Sequence, residues 1–71
     1  MLKNRGPIQL ALLRLLRVRK KGIDSVTLAC RVFGTNTPTV SQLESTRRAL
    51  RGLRRDGLVD VNRQRPVYLM R

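Results

Sequence analysis

The sequence has no histidine and no tryptophan, one cysteine, one tyrosine, one phenylalanine and four acidic residues among 71. Each shortage removes a class of function. Without histidine there is no Cys–His zinc site, and the commonest general base is missing. The carboxylates Asp24, Glu44, Asp56 and Asp60 are scattered along the chain, and no two evidently converge. No glycine-rich phosphate loop is visible, nor a serine in an evident triad. The chain is therefore not expected to be an enzyme or to hold a metal or other cofactor. Lone Cys30 cannot close an intrachain disulfide and is expected as a small core or boundary residue. Phe33 and Tyr68 are the only aromatics, too few for a protein that stacks successive single-stranded bases on rings. Long apolar runs are also lacking. The best, from Ile8 to Leu16, is broken by Gln9 and Arg14 and is too short to span a bilayer. No secretory signal pattern is present. The expectation is a cytoplasmic, nucleoid-associated protein in a reducing compartment, with no membrane partner and no evident small-molecule effector.

What is abundant is positive charge. Sixteen Lys and Arg give a net charge of +12, which opposes compaction and which a polyanion would relieve. Hydrophobic residues make up 41% of the chain, enough for a core. At this length only ~60% of the unfolded surface is buried on folding, so one domain is expected. Residues 1–6 read as a flexible basic arm carrying Lys3 and Arg5, and 7–71 as the domain.

The chain is organised around the stretch from Thr37 to Gly57. Pro38 suits the first turn of a helix. Thr39 and Gln42 have capping-box spacing, and Gly57 suits the left-handed close. At about 100° per residue with Leu43 at zero, Leu50, Leu53 and Val40 join it in one apolar stripe. Ser41, Ser45, Arg48, Gly52 and Arg55 fall on the opposite side, with Arg51 and Glu44 at its edge. Short side chains there would let the backbone approach bases, and arginines would reach phosphates or guanine edges. Stabilising Glu–Lys pairs are largely missing, which distinguishes this face from an ordinary solvated one.

Two further helices precede this stretch. Pro7 opens the first, running to about Lys21 with Gly22 as its stop. Ile8, Ala11, Leu12, Leu15 and Leu16 form its expected core stripe. Leu10 and Leu13, with Leu2, fall away from that stripe and are expected to form a homodimer contact. Asp24 or Ser25 caps a second helix over about 25–33, with Leu28, Ala29, Val32 and Phe33 toward the core. Gly34 to Pro38 reads as a turn. After Gly57 two β-prone runs, Leu58 to Val61 and Val67 to Met70, flank the basic turn Asn62 to Pro66 and predict a hairpin. Pro66 suits a loop or a strand start. Leu58 and Leu69 are expected to pack back on the helices.

The order of three helices and a basic two-stranded hairpin, mainly α with a C-terminal β-hairpin (α+β), resembles a winged helix-turn-helix domain. The resemblance rests on Leu50-x-x-Leu53-x-x-Asp56-Gly57-Leu58-Val59, similar to the recognition-helix end of such repressors, and on the stretch from Ser25 to Gly34, similar to the supporting helix. It implies Thr39, Ser41, Gln42, Ser45 and Arg48 toward base edges, Gln42 pairing with adenine and Arg48 with guanine. It implies Arg51 and Arg55 toward phosphates, and Arg63 and Arg65 of the wing toward an adjacent minor groove or backbone.

The leading expectation is a sequence-specific, double-stranded DNA-binding regulator of repressor type, acting as a homodimer, of the size found among mobile-element regulators. An excisionase-like or architectural DNA-bending factor on repeated sites is a close variant. A double-stranded RNA-binding module or a winged domain used for protein contact are alternatives of other classes.

Overall fold

A computed structural model describes residues 6–19, 21–62, 64 and 67–71. The arm before Gly6, and Arg63, Arg65 and Pro66, lie outside the described residues. The elements run α1 (Pro7–Val18), β1 (Ile23–Asp24), α2 (Ser25–Phe33), α3 (Val40–Arg55), β2 (Val59–Asn62) and β3 (Val67–Met70). Three helices and a small antiparallel sheet make this an α+β fold.

Local chemistry sets the helix ends. Pro7 occupies the first helical turn of α1, where a missing N–H costs nothing. Asp24 caps α2: its carboxylate accepts from the Thr27 N–H at 3.2 Å and from the Thr27 hydroxyl at 2.6 Å. Gly34 closes α2 in the left-handed region. Thr39 and Gln42 form the expected capping box at the start of α3. Gly57 (φ 77) closes α3 with paired bonds, Gly57 N–H to the Arg54 carbonyl and Leu58 N–H to the Leu53 carbonyl. That is the Schellman pattern. Pro38 precedes the cap, two residues before the first turn it was expected to occupy. Likewise α1 stops at Val18, short of Lys21, because Arg19 turns to extended backbone (φ −115, ψ 93).

The sheet is larger than a two-stranded hairpin. Its order is β1-β3-β2. β2 and β3 pair from Val59↔Met70 to Asn62↔Val67, and β1 adds Ile23↔Tyr68 and Asp24↔Val67 on the other side of β3. Ile23-Asp24 was expected as a plain connection, because two residues are too few to show a period. Within β3, Tyr68 and Met70 pack against the core. Leu69, expected there, points the other way, since side chains alternate across a strand, and it lies over Gly22.

The core consists of Leu12, Leu13, Leu16, Ile23, Leu28, Leu50, Leu53 and Val59, with Ala29 also buried. It is wholly aliphatic; Phe33 is half-buried. Leu13 is only 4% exposed, which overturns its expected outward place. The reason is that α1 packs against α2, α3 and β3 at once, so it buries a wider arc than a stripe facing one layer. Leu10, at 37%, does face outward, and Leu2 lies outside the described residues. The proposed Leu10–Leu13 dimer contact is therefore lost, since half of it is core. Val40, expected in the α3 stripe, is 75% exposed, and its place is taken by Thr46, fully buried. The Thr46 hydroxyl donates to the Gln42 carbonyl at 2.9 Å, so its polar atom is satisfied within the helix and its methyl is free to pack.

A Cβ at Gly22 (φ +90) would strike the Leu69 side chain and sit 3.0 Å from the Tyr68 carbonyl oxygen. Gly22→Ala should therefore cost at least about 2 kcal/mol in denaturant unfolding, from backbone strain and the displaced strand together. The Thr27 hydroxyl bond holds the Asp24 carboxyl below its ordinary 3.8, with desolvation opposing. A depressed folded pKa contributes stability above the unfolded value that is lost as pH falls through the folded one. Wild type should thus lose stability below about pH 4 more steeply than Asp24→Asn, and Asp24→Ala should cost about 1 kcal/mol at neutral pH. Urea titrations across that pH range would show both effects.

Candidate nucleic-acid interface

The exposed side of α3 follows from what its other sides touch. Thr46, Leu50 and Leu53 face the core. Centred on them, the buried arc is turned by about 50° from the one expected from the sequence, at 100° per residue. A second flank, carrying Ser45, Ala49 and Gly52, faces the first turn of α1 across a groove lined by Gly6, Pro7, Ile8 and Gln9. The Gln9 Nε2 donates to the Ala49 carbonyl at 3.3 Å. A Cβ on Gly52 would lie 2.7 Å from that same nitrogen. Gly52 and Ser45 are accordingly half-buried. The absence of a side chain at Gly52 admits the Gln9 side chain of α1, not the close approach of the α3 backbone to bases that its position on the helix leads one to expect.

The remaining arc is open. Ser41, Glu44, Arg47, Arg48, Arg51, Arg54 and Arg55 are all exposed. Five arginines against one glutamate make this a strongly positive ridge along a 16-residue helix. Glu44, Arg47, Arg48 and Arg51 frame a shallow polar depression on it. Arg48, Arg51 and Arg55 also border the groove beside α1. The N-cap of α1, Gly6, has no side chain to cap with, and the first N–H groups of a helix have no partner within it. The positive end of a helix dipole therefore stands beside three guanidinium groups, an arrangement suited to an anion.

Of the residues singled out from the sequence, Arg48, Arg51 and Arg55 share the exposed ridge, and Ser41 lies at its margin. Thr39 and Gln42 are committed elsewhere. The Thr39 hydroxyl accepts from the Gln42 N–H at 3.1 Å, and the Gln42 Oε1 accepts from the Thr39 N–H at 2.9 Å. A bidentate pairing of Gln42 with adenine needs both its oxygen and its amide group, so it would cost the cap. Gln42 is better described as the residue that fixes the start of the helix. Arg63 and Arg65 lie outside the described residues. Arg47 and Arg54 were missed: they sit beside Leu43 on a helical wheel, and only the rotation of the buried arc exposes them. The larger number of arginines than any single outward stripe would hold was the available signal.

Outside α3, Arg14, Arg17, Arg19, Lys21, Arg31 and Arg71 are also exposed. Among the described residues no group of histidine, cysteine or carboxylate side chains is placed to hold a metal ion, and no helix is long and apolar enough to cross a membrane. Cys30 is a free, half-buried thiol.

Comparison with known proteins finds no match for this chain, whether against family models, curated proteins or solved structures.

The contact between Gln9 and Gly52 can be tested directly. Alanine is favoured over glycine inside a helix by about 1 kcal/mol. In a Gln9→Ala background, Gly52→Ala should recover that gain. In the wild-type background the gain should be smaller, because Gln9 must swing away and give up its bond to Ala49. Thermal or urea unfolding of the four proteins measures the difference, and equal gains in both backgrounds would refute the packing.

Proposed function

We propose that this chain is a sequence-specific, double-stranded DNA-binding protein, a small transcriptional regulator that acts as a pair of copies, with α3 lying in the major groove. In this reading α1 to α3 and the β2–β3 hairpin are a winged helix-turn-helix arrangement. The hairpin lies along the adjacent minor groove or backbone, with Arg63 and Arg65 as its phosphate contacts.

The observation that carries the proposal is the exposed ridge of α3, five arginines with a single glutamate. A major groove admits one helix. A face this positive carries a self-repulsion that phosphates would relieve. The groove beside α1 fits the same reading, since phosphate binds well where a helix N-terminus and arginines meet. The aliphatic core and the scarcity of aromatic rings favour a duplex over a single strand. One such helix reaches few base pairs, so two copies on a palindrome would supply the needed selectivity. With Leu13 in the core, that pairing needs a surface other than the one first assigned.

A binding selection tests the proposal. Purified protein is mixed with random duplex DNA near physiological salt, and the retained sequences are read. One short motif is the expected outcome, and a two-fold symmetric motif supports paired copies. Retention of every sequence, lost as salt rises, would mean that charge alone drives binding. Equal retention of duplex RNA would move the partner to another class. On the recovered site, Arg48→Ala should cost ~1–3 kcal/mol and relax selectivity at one position. Arg54→Ala, at the margin of the ridge, should weaken all sequences alike and lower the salt slope by about 1.

A further inference from the structure

Val40 is the one large apolar side chain on the exposed arc of α3, and nothing in the fold accounts for it there. It is 75% exposed, so it adds almost nothing to the core. Branched at Cβ, it is a weaker helix former than the straight-chain residues, so helix formation does not call for it either. Its position is nonetheless held firmly. It is the first residue of α3, directly after Thr39, and the two reciprocal bonds between Thr39 and Gln42 pin the backbone on either side of it. At 100° per residue its direction lies between those of Arg47 and Arg51, with Glu44 one turn further along. Two methyl groups therefore stand exposed at the N-terminal end of a ridge of guanidinium groups.

The arginines of that ridge have phosphates and guanine edges to meet. A valine has neither. The major groove offers one methyl-bearing base edge, the C5 methyl of thymine, and the N-terminal residues of a helix docked there are the ones that touch base edges. We infer that Val40 packs against the methyl group of a thymine and makes the chain select that base at one position of its site. The inference rests on the reading of α3 as a major-groove helix.

The test uses the full chain and the site recovered by selection. Each thymine is replaced in turn by deoxyuridine, which removes only the methyl group. Binding of wild type and Val40→Ala is then followed by fluorescence anisotropy at one salt concentration. Alanine at an exposed helical position favours the helix, so the variant keeps its fold, which a melting curve checks. At one thymine, methyl removal should weaken wild type roughly fourfold, the burial free energy of one methyl, and leave Val40→Ala nearly unchanged. On the intact site Val40→Ala should itself bind roughly fourfold more weakly, with the same salt slope, because no charge is lost. Equal methyl sensitivity in both proteins, or none at any thymine, overturns the role of Val40 and leaves sequence-specific binding standing. Failure to recover any motif overturns the major-groove reading, and the Val40 contact falls with it.

Discussion

The packing of α1 against α2, α3 and β3 is the contact on which the remaining structure depends. A helix of 12 residues is asked to cover three neighbours, and its leucines are distributed to do so. Leu12, Leu13 and Leu16 fill the centre, while Ile8 and Leu15 pack at the flanks. Burial on this scale contributes about 1.5–3 kcal/mol for each large aliphatic side chain. It must offset both chain entropy and the mutual repulsion of a chain at +12. Aliphatic side chains of similar size suit that task, because they interdigitate without polar atoms that need partners. The cations are then left to the outside, where water screens them. Their concentration on α3 reflects the fact that two of that helix's flanks are already taken, one by the core and one by the start of α1.

The interactions legible in the sequence were the local ones. Thr39 with Gln42, Asp24 before Ser25, Gly34 and Gly57 each announce a helix end within four or five residues, and each does so in the structure. What was not legible is the direction in which each helix turns its buried face. Leu13 and Val40 were misplaced for one reason: a helical wheel locates a stripe from the residues' own polarity, whereas the arc that is buried is set by neighbours distant in sequence. Thr46 shows the same effect from the other side. Its hydroxyl reads as polar, yet one bond to Gln42 satisfies it, and the position behaves as apolar. The strand Ile23-Asp24 was invisible because its partner, Tyr68-Val67, lies far along the chain.

The candidate interface shows the same division. That α3 carries an arginine face is plain from composition. Which arginines belong to it depends on the rotation of the helix, and this brought in Arg47 and Arg54. Which short residues stay accessible depends on α1, and this removed Gly52 and Ser45. Gln42 illustrates a further limit of reading polar residues from spacing alone: a side chain with one obligatory local bond has less left to offer a partner. The spacing that marks Gln42 as a cap and the position that marks it as a reader describe competing uses of one amide.

The strand order has a consequence for how the chain is made. β3 is the middle strand, yet it follows both of its partners in the chain. During synthesis the helices can gather as they emerge from the ribosome, but β1 and β2 lack their shared partner until β3 is free. Ile23 and Val59 both belong to the core, and both sit in strands that wait for it. The sheet is in this sense closed by the strand made after both of its partners. A nascent chain arrested before β3 would expose apolar edges with a high positive charge beside them, open to capture by any nearby polyanion before the sheet is complete.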